Sequence, residues 1–295
     1  MNRDEALKKS DEALQELAVA LRQGKSETLV RYLDMVSQFH QYSFGNCMLI
    51  YLQMPTATMV AGFHRWKELH RWVKKGEKGI AILAPMIGKR KKSDSKDAAV
   101  APTDEPVSDQ KVVFGFRTVF VFDVSQTEGK ELPDFAKLSG DPGELQSRLE
   151  TIIAGHGIDL TYVDSLGGAN GVSMDGRIEV VASLPPAQKF STTVHELAHE
   201  LLHRGDRREQ TDKTVRETEA EAVAYAVCRW AGIDCSTRAA DYIQLYAGDE
   251  KLLLQSLELI SDVAAKVIGA LTTETRVTEA GETLAAPLVE VTHVS

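Results

Sequence analysis

The chain has 295 residues, 43% of them apolar and 26% charged, with a formal net charge of −9. That balance excludes wholesale disorder and supplies enough apolar material for two domains with separate cores. No run approaches the roughly 18 apolar residues of a membrane span, and the N-terminus is charged at helical spacing rather than built like a secretion signal, so the chain reads as cytoplasmic with no membrane partner.

Charge is unevenly divided. Residues 1–130 carry +4 and residues 131–295 carry −13, and Gly62 to Lys92 alone holds ten basic and two acidic side chains. Such asymmetry suggests two halves with different partners. Cys47, Cys228 and Cys235 are odd in number and form no C-x-x-C pair, so they read as buried thiols rather than a disulfide framework or a cysteine zinc site.

In chain order, Ala6, Leu7, Leu14, Leu17 and Leu21 predict a first helix, and Leu29, Leu33, Val36 and Phe39 a second, capped by Ser26. A third covers Ser43 to Gln53 and stops before Pro55. Thr58 to Phe63 reads as a strand, Trp66 to Trp72 fits either type, and the turn Lys74 to Gly79 feeds a short strand, Ile80 to Ala84. Val112 to Val124 is a further strand. Residues 88–110 are mostly Lys, Ser, Asp, Ala and Pro and predict a flexible loop. A Gly- and Pro-containing linker, 131–143, separates the halves.

The second half opens with a helix, Gly143 to Ala154, and a strand, Ile158 to Val163. After a glycine-rich turn comes the strand Arg177 to Ala182, which offers itself either as a core strand or as a sheet edge for an extended peptide. Pro185 and Pro186 open a helix ending near His203. Helices over Val215 to Ala231, Thr237 to Tyr246 and Glu250 to Leu271 follow, and residues 273–295 predict a disordered tail. The expected fold class is α+β with two domains, 1–130 and 144–272.

The sharpest chemical signal is His195-Glu196-Leu197-Ala198-His199. Positions i and i+4 of a helix lie one above the other, so His195 and His199 can hold one divalent ion, zinc first, with manganese or cobalt as alternatives. Glu196 then stands beside the open coordination position as general base. A third ligand is sought among Glu217, Glu219 and Glu221. Glu217 and Glu221 share a face, which suggests Glu217 as ligand and Glu221 as the acceptor that orients a ligand histidine; the reverse order, or Glu219 as ligand, stays open. His203 lies about 12 Å along the helix from His195 and cannot bind the same ion, leaving a dipole or packing role.

In the basic half, Trp66, Arg71, Trp72, Lys74, Lys75 and Lys78 combine aromatic faces with cations. Single-stranded DNA needs both, and duplex DNA is an alternative ligand; a core role for the tryptophans is the bland reading. Gly88 to Lys92 is a candidate extra phosphate-binding arm.

Several ordered motifs make the chain resemble the ArdC antirestriction family. They are Tyr42-Ser43-Phe44-x-Asn46, Gln53-Met54-Pro55, Val60-Ala61-Gly62-Phe63-x-x-Trp66, Lys74-Lys75-Gly76-Glu77-Lys78-Gly79-Ile80 and Val121-Phe122-Asp123-Val124-Ser125-Gln126-Thr127. At His70-Arg71 the sequence departs from an expected Gly-Arg. The second half is similar to zincin-like metallopeptidases of the ImmA/IrrE kind, through His195 to His203 and through Glu217-Thr218-Glu219-Ala220-Glu221, a match that favours Glu217 over Glu219. The resemblance implies an N-terminal single-stranded-DNA-binding module and a C-terminal zincin-like metallopeptidase domain. Together they would protect incoming plasmid DNA from host restriction during conjugation, acting on a protein substrate or a host restriction component. A regulatory peptidase that cleaves a repressor or host factor, or a DNA-coating protein with a structural metal, are the alternatives.

Overall fold

The structure is a computed structural model and describes residues 3–22, 26–89, 111–131, 141–233 and 250–273. The expected helix Thr237 to Tyr246, the arm residues 90–92, most of the 88–110 loop and of the 131–143 linker, Cys235 and nearly all of the tail lie outside these residues. The chain divides into two compact units, Met1–Gln15 with Gly45–Leu132, and Glu16–Phe44 with Pro133–Ser295. Its first helix, α1, is Arg3–Arg22.

The first unit is built on an antiparallel sheet in the order β1-β4-β3, with β1 Val60–Gly62, β3 Ile80–Lys89 and β4 Lys111–Asp123. The β3 strand is longer than its apolar stretch Ile80 to Ala84 predicts. Its free edge is closed by helix α3, Phe44–Gln53. Asn46 Nδ2 donates to Leu83 O at 2.8 Å while Asn46 Oδ1 accepts from Leu83 N at 2.8 Å. Gln53 does the same for Ala81, at 2.9 and 3.0 Å. Two amides thus satisfy backbone groups that an edge strand otherwise exposes to aggregation.

The segment between β1 and β3 resolves into helix α4, Phe63–Glu68, and strand β2, Arg71–Val73, which pairs with β5, Thr127–Gly129. His70 joins them at φ 57, a left-handed conformation that glycine adopts without steric cost and histidine only with some strain. That is the physical reason a glycine is expected at this position. Asp123 holds the opposite corner: its carboxylate accepts from the Thr58 and Met59 amides at 2.7 and 3.0 Å and from the Ser125 amide at 2.9 Å. Burial works against this charge, but the hydrogen bonds prevail and hold its pKa below the ordinary value.

The second unit carries a three-stranded sheet in the order β6-β8-β7, with β6 Asp159–Val163, β7 Gly171–Ser173 and β8 Arg177–Val181. Because β8 pairs with β6 on one side and β7 on the other, it is a central strand, and the sheet-edge reading of Arg177 to Ala182 is corrected. Helices α5 (Glu144–Gly155), α6 (Pro186–Leu202), α7 (Asp206–Gln210), α8 (Lys213–Trp230) and α9 (Glu250–Thr272) complete the described chain. The core gathers Phe190, Val194 and Leu197 of α6, Ala220, Val223 and Val227 of α8, and Leu257, Ile260 and Ile268 of α9.

Helix α2, Ser26–Gln38, packs within this second unit. Tyr32, Leu33 and Val36 are buried, Tyr32 Oη donates to Leu257 O at 2.8 Å, and Asp34 accepts from Tyr225 Oη and Arg229 Nε at 3.0 Å each. Amphipathic spacing specifies that a helix has a face to bury, not which partner buries it.

Candidate metal centre

Helix α6 begins at Pro186, where a first turn tolerates proline, and presents His195 and His199 on one face. Asp212 caps α8 by accepting from Val215 N at 2.8 Å, which sets the start of the helix that carries Glu217, Glu219 and Glu221. Three atoms converge. His195 Nε2 is 3.1 Å from His199 Nε2, and Glu217 Oε2 is 3.5 Å from the first and 3.7 Å from the second. Bonds of about 2.0–2.2 Å in a tetrahedral site imply ligand separations of roughly 3.4 Å, so this triangle has the dimensions a zinc-like ion requires. Among the described residues it is the one group of three such ligands within 4.8 Å of one another.

The other ring nitrogens are held as well. His195 Nδ1 lies 3.3 Å from Glu221 Oε2, the geometry of an N–H donated to a carboxylate, and this leaves Nε2 free to ligate. His199 Nδ1 lies 3.0 Å from His203 Nδ1, and His203 Nε2 is 2.8 Å from Glu219 Oε2. If His199 ligates through Nε2, its Nδ1–H donates to His203, which must then be neutral and donate its own Nε2–H to Glu219. Burial lowers the His203 pKa against the pull of Glu219, in the same direction.

Glu219 lies outside the triangle as a buried anchor: its side chain is 0% exposed and its second oxygen accepts from Arg207 and Ser256. Burial opposes its charge, but His203, Ser256 and Arg207 together hold it ionised, with a pKa below the ordinary value. The packing role expected of His203 becomes a specific one. The sequence signal was present, since His203 stands four residues after His199 just as His199 stands four after His195.

Glu196 is buried beside the triangle, and burial raises its pKa despite the nearby histidines. Strand β7 covers it closely. A Cβ on Gly171 would sit 2.6 Å from Thr192 Cγ2 and 2.8 Å from Glu196 Oε1, so only glycine permits this approach. Glu200 clamps the strand to α6, accepting from Ser173 Oγ and from Gly176 N at 2.7 Å. Burial works against protonation of His195, yet hydrogen bonds to Glu217 and Glu221 push its pKa up to about 9. The histidines hold Glu217 well below the usual carboxylate range.

The basic half is only partly as the sequence suggests. Trp66 is 0% exposed and its Nε1 donates to Phe122 O at 2.8 Å, so it is a core residue and unavailable for stacking on bases. Arg71 ties β2 to β5 through Thr127 Oγ1 at 2.8 Å and Lys130 O at 2.6 Å. Lys74 Nζ donates to Ser125 O at 2.8 Å. Trp72 is 52% exposed, and Lys74, Lys75 and Lys78 are exposed on the turn that follows.

The fold and the site define a two-domain protein whose second domain is metallopeptidase-like. The N-terminal domain of anti-restriction factor ArdC matches residues 5–122, and the IrrE N-terminal-like domain of the M78 peptidases matches residues 155–228. The first half of the chain is thus similar to the ArdC anti-restriction domain and the second to the IrrE-like peptidase domain, in that order. An uncharacterised Bacillus anthracis protein is 25% identical over 251 residues, covering 74% of this chain, which spans only 42% of that relative. Two crystal structures of the antirestriction ArdC protein from the R388 plasmid are also similar. The metal-free one has 20% identity and a TM-score of 0.42, covering 78% of this chain and 84% of that one. The Mn(II)-bound one has 16% identity and a TM-score of 0.48, covering 89% and 98%.

Proposed function

We propose that this chain protects incoming plasmid DNA from host restriction, holding single-stranded DNA on its first unit and hydrolysing a protein partner at the α6–α8 site of the second. The match of residues 5–122 to the ArdC anti-restriction domain supports the antirestriction role, and the observation that carries the hydrolytic one is the His195–His199–Glu217 triangle with Glu196 buried at its side. A divalent ion held there supplies a Lewis acid that polarises water and a scissile carbonyl. The donor set of two imidazoles and a carboxylate suits zinc and also accommodates manganese or cobalt.

The chain's own groups do the rest. Glu196, shielded by β7, accepts a proton from water at its carboxylate and returns it to the leaving amine; a raised pKa fits a group that must work in both directions. Glu221 and the His203–Glu219 pair keep the two imidazoles aimed. Among the described residues β7 pairs only with β8, and its other edge is where an extended peptide would add as a further strand. The test is conjugative transfer of an unmodified plasmid into restricting and non-restricting recipients, with and without the protein. Protection confined to the restricting recipient is expected, and equal transfer with and without the protein would refute the reading.

A further inference from the structure

The sheet of the first unit has one face turned to its core and another covered with phenylalanine. In β4, Val121 and Asp123 point inward and are buried, so the alternate positions Phe116, Thr118, Phe120 and Phe122 point outward. Phe116 is 43% and Phe120 52% exposed. Their cross-strand neighbours are Pro85, Leu83 and Ala81 on β3 and Ala61 on β1, so this face bears no acidic side chain at the paired positions. At the register shift between Met86 and Ile87, Phe114 is left without a cross-strand partner and is 69% exposed, its ring against Gly88.

Cations flank the row. Phe63 continues it, 45% exposed with its ring 6.3 Å from that of Phe122, and Lys67 Nζ lies 4.9 Å from the Phe63 centroid. A Cβ on Gly79 would fall 2.9 Å from Phe120 Cβ and 3.1 Å from Phe122 Cζ, so only the bare Gly79 backbone fits against both rings, and the exposed Lys78 is its chain neighbour.

We propose that this face is where single-stranded DNA lies, its bases stacked on Phe116 and Phe120 and its phosphates against Lys67 and Lys78; the inference rests on the reading of the first unit as a DNA-holding module. Several phenylalanines at such exposure on one sheet face amount to a binding surface rather than scattered apolar residues. Rings alone would suit any apolar partner. Rings bordered by lysines, with no acid at the paired positions of the sheet, suit a polyanion with unstacked bases, in the way other nucleic-acid-binding sheets use aromatic faces. The rings impose no sequence preference, because every base has a face to stack.

The test uses the full chain and a fluorescein-labelled oligothymidylate, read by anisotropy across a salt series. Phe116→Ala/Phe120→Ala is expected to weaken binding roughly tenfold or more with the salt slope unchanged, and Lys67→Ala/Lys78→Ala to flatten the slope by about 0.7 per lost contact. Phe116→Leu/Phe120→Leu keeps apolar bulk and should bind as poorly as the alanine pair, whereas the tryptophan pair should bind at least as well as wild type. If wild type binds and the leucine pair binds equally, the stacking face is refuted while the DNA-holding reading stands. If wild type binds no oligonucleotide, both fall. If sedimentation shows a wild-type dimer that the leucine pair dissolves, the face is an interface between copies and the proposal is overturned.

Discussion

Changing Glu219 to glutamine separates the buried anchor from the ligand set. The carboxylate is fully buried and holds His203, Arg207 and Ser256, so the variant leaves the Arg207 guanidinium without its counter-charge. Breaking a buried pair costs about 3–5 kcal/mol. The lower end applies, because Arg207 is 16% exposed and the amide oxygen still accepts from one partner. About 3 kcal/mol corresponds to a melting temperature lower by roughly 6–12 °C for a unit of this size. His199 also loses its oriented neighbour, which should weaken metal binding by about tenfold or more. Thermal melts in chelator and a competition titration with a chromophoric chelator read the two effects. Glu217→Gln is the control: that side chain is 51% exposed and its pairing with His195 is screened by solvent, so its melt should fall by less than that of Glu219→Gln while metal binding collapses. A stable Glu219→Gln that binds metal normally, or a Glu217→Gln that keeps its metal, would refute the assignment.

Other expectations follow from the same geometry. With the His195 pKa near 9, a binding ion must displace a proton at neutral pH, so affinity should rise about tenfold per pH unit up to pH 9 and then level off. The His195 hydrogen bonds likewise stabilise the metal-depleted protein fully below pH 6.5, a contribution lost as pH climbs through 9. Metal competition titrations between pH 6 and 8 that gave a flat affinity would contradict this. Gly171→Ala forces a methyl group into Thr192 and Glu196; a loss of about 1–3 kcal/mol in urea unfolding is expected, together with impaired protection in plasmid transfer. An alanine variant as stable and as protective as wild type would show that β7 does not lie against Glu196.

What the sequence makes legible follows from periodicity. The i, i+4 histidines are spaced by the helix itself, so that pair is written into the residue spacing, whereas the choice among Glu217, Glu219 and Glu221 depends on how α8 packs against α6. Long amphipathic helices such as α6 and α9 are equally plain. Three-residue strands are not: β7 is set by pairing with β8 and by contact with Glu196, neither of which leaves a local pattern. The outward phenylalanines of β4 are hidden because apolar residues occupy both faces of the strand, a pattern that reads as a buried strand. Trp66 and Trp72 look alike in a basic segment, yet one is core and the other exposed. Burial of an aromatic residue depends on what the chain brings over it, and here that is the carbonyl of Phe122.

The central claim is that protection depends on hydrolysis at the α6–α8 site. Its most direct test is transfer of an unmodified plasmid into a restricting recipient with wild type and Glu196→Gln at matched protein levels, with metal analysis of the purified variant. Glu196 is not among the converging ligands, so the variant should keep its ion and lose protection. A variant that retains both its ion and full protection would contradict the claim and leave protection to the DNA-holding unit alone.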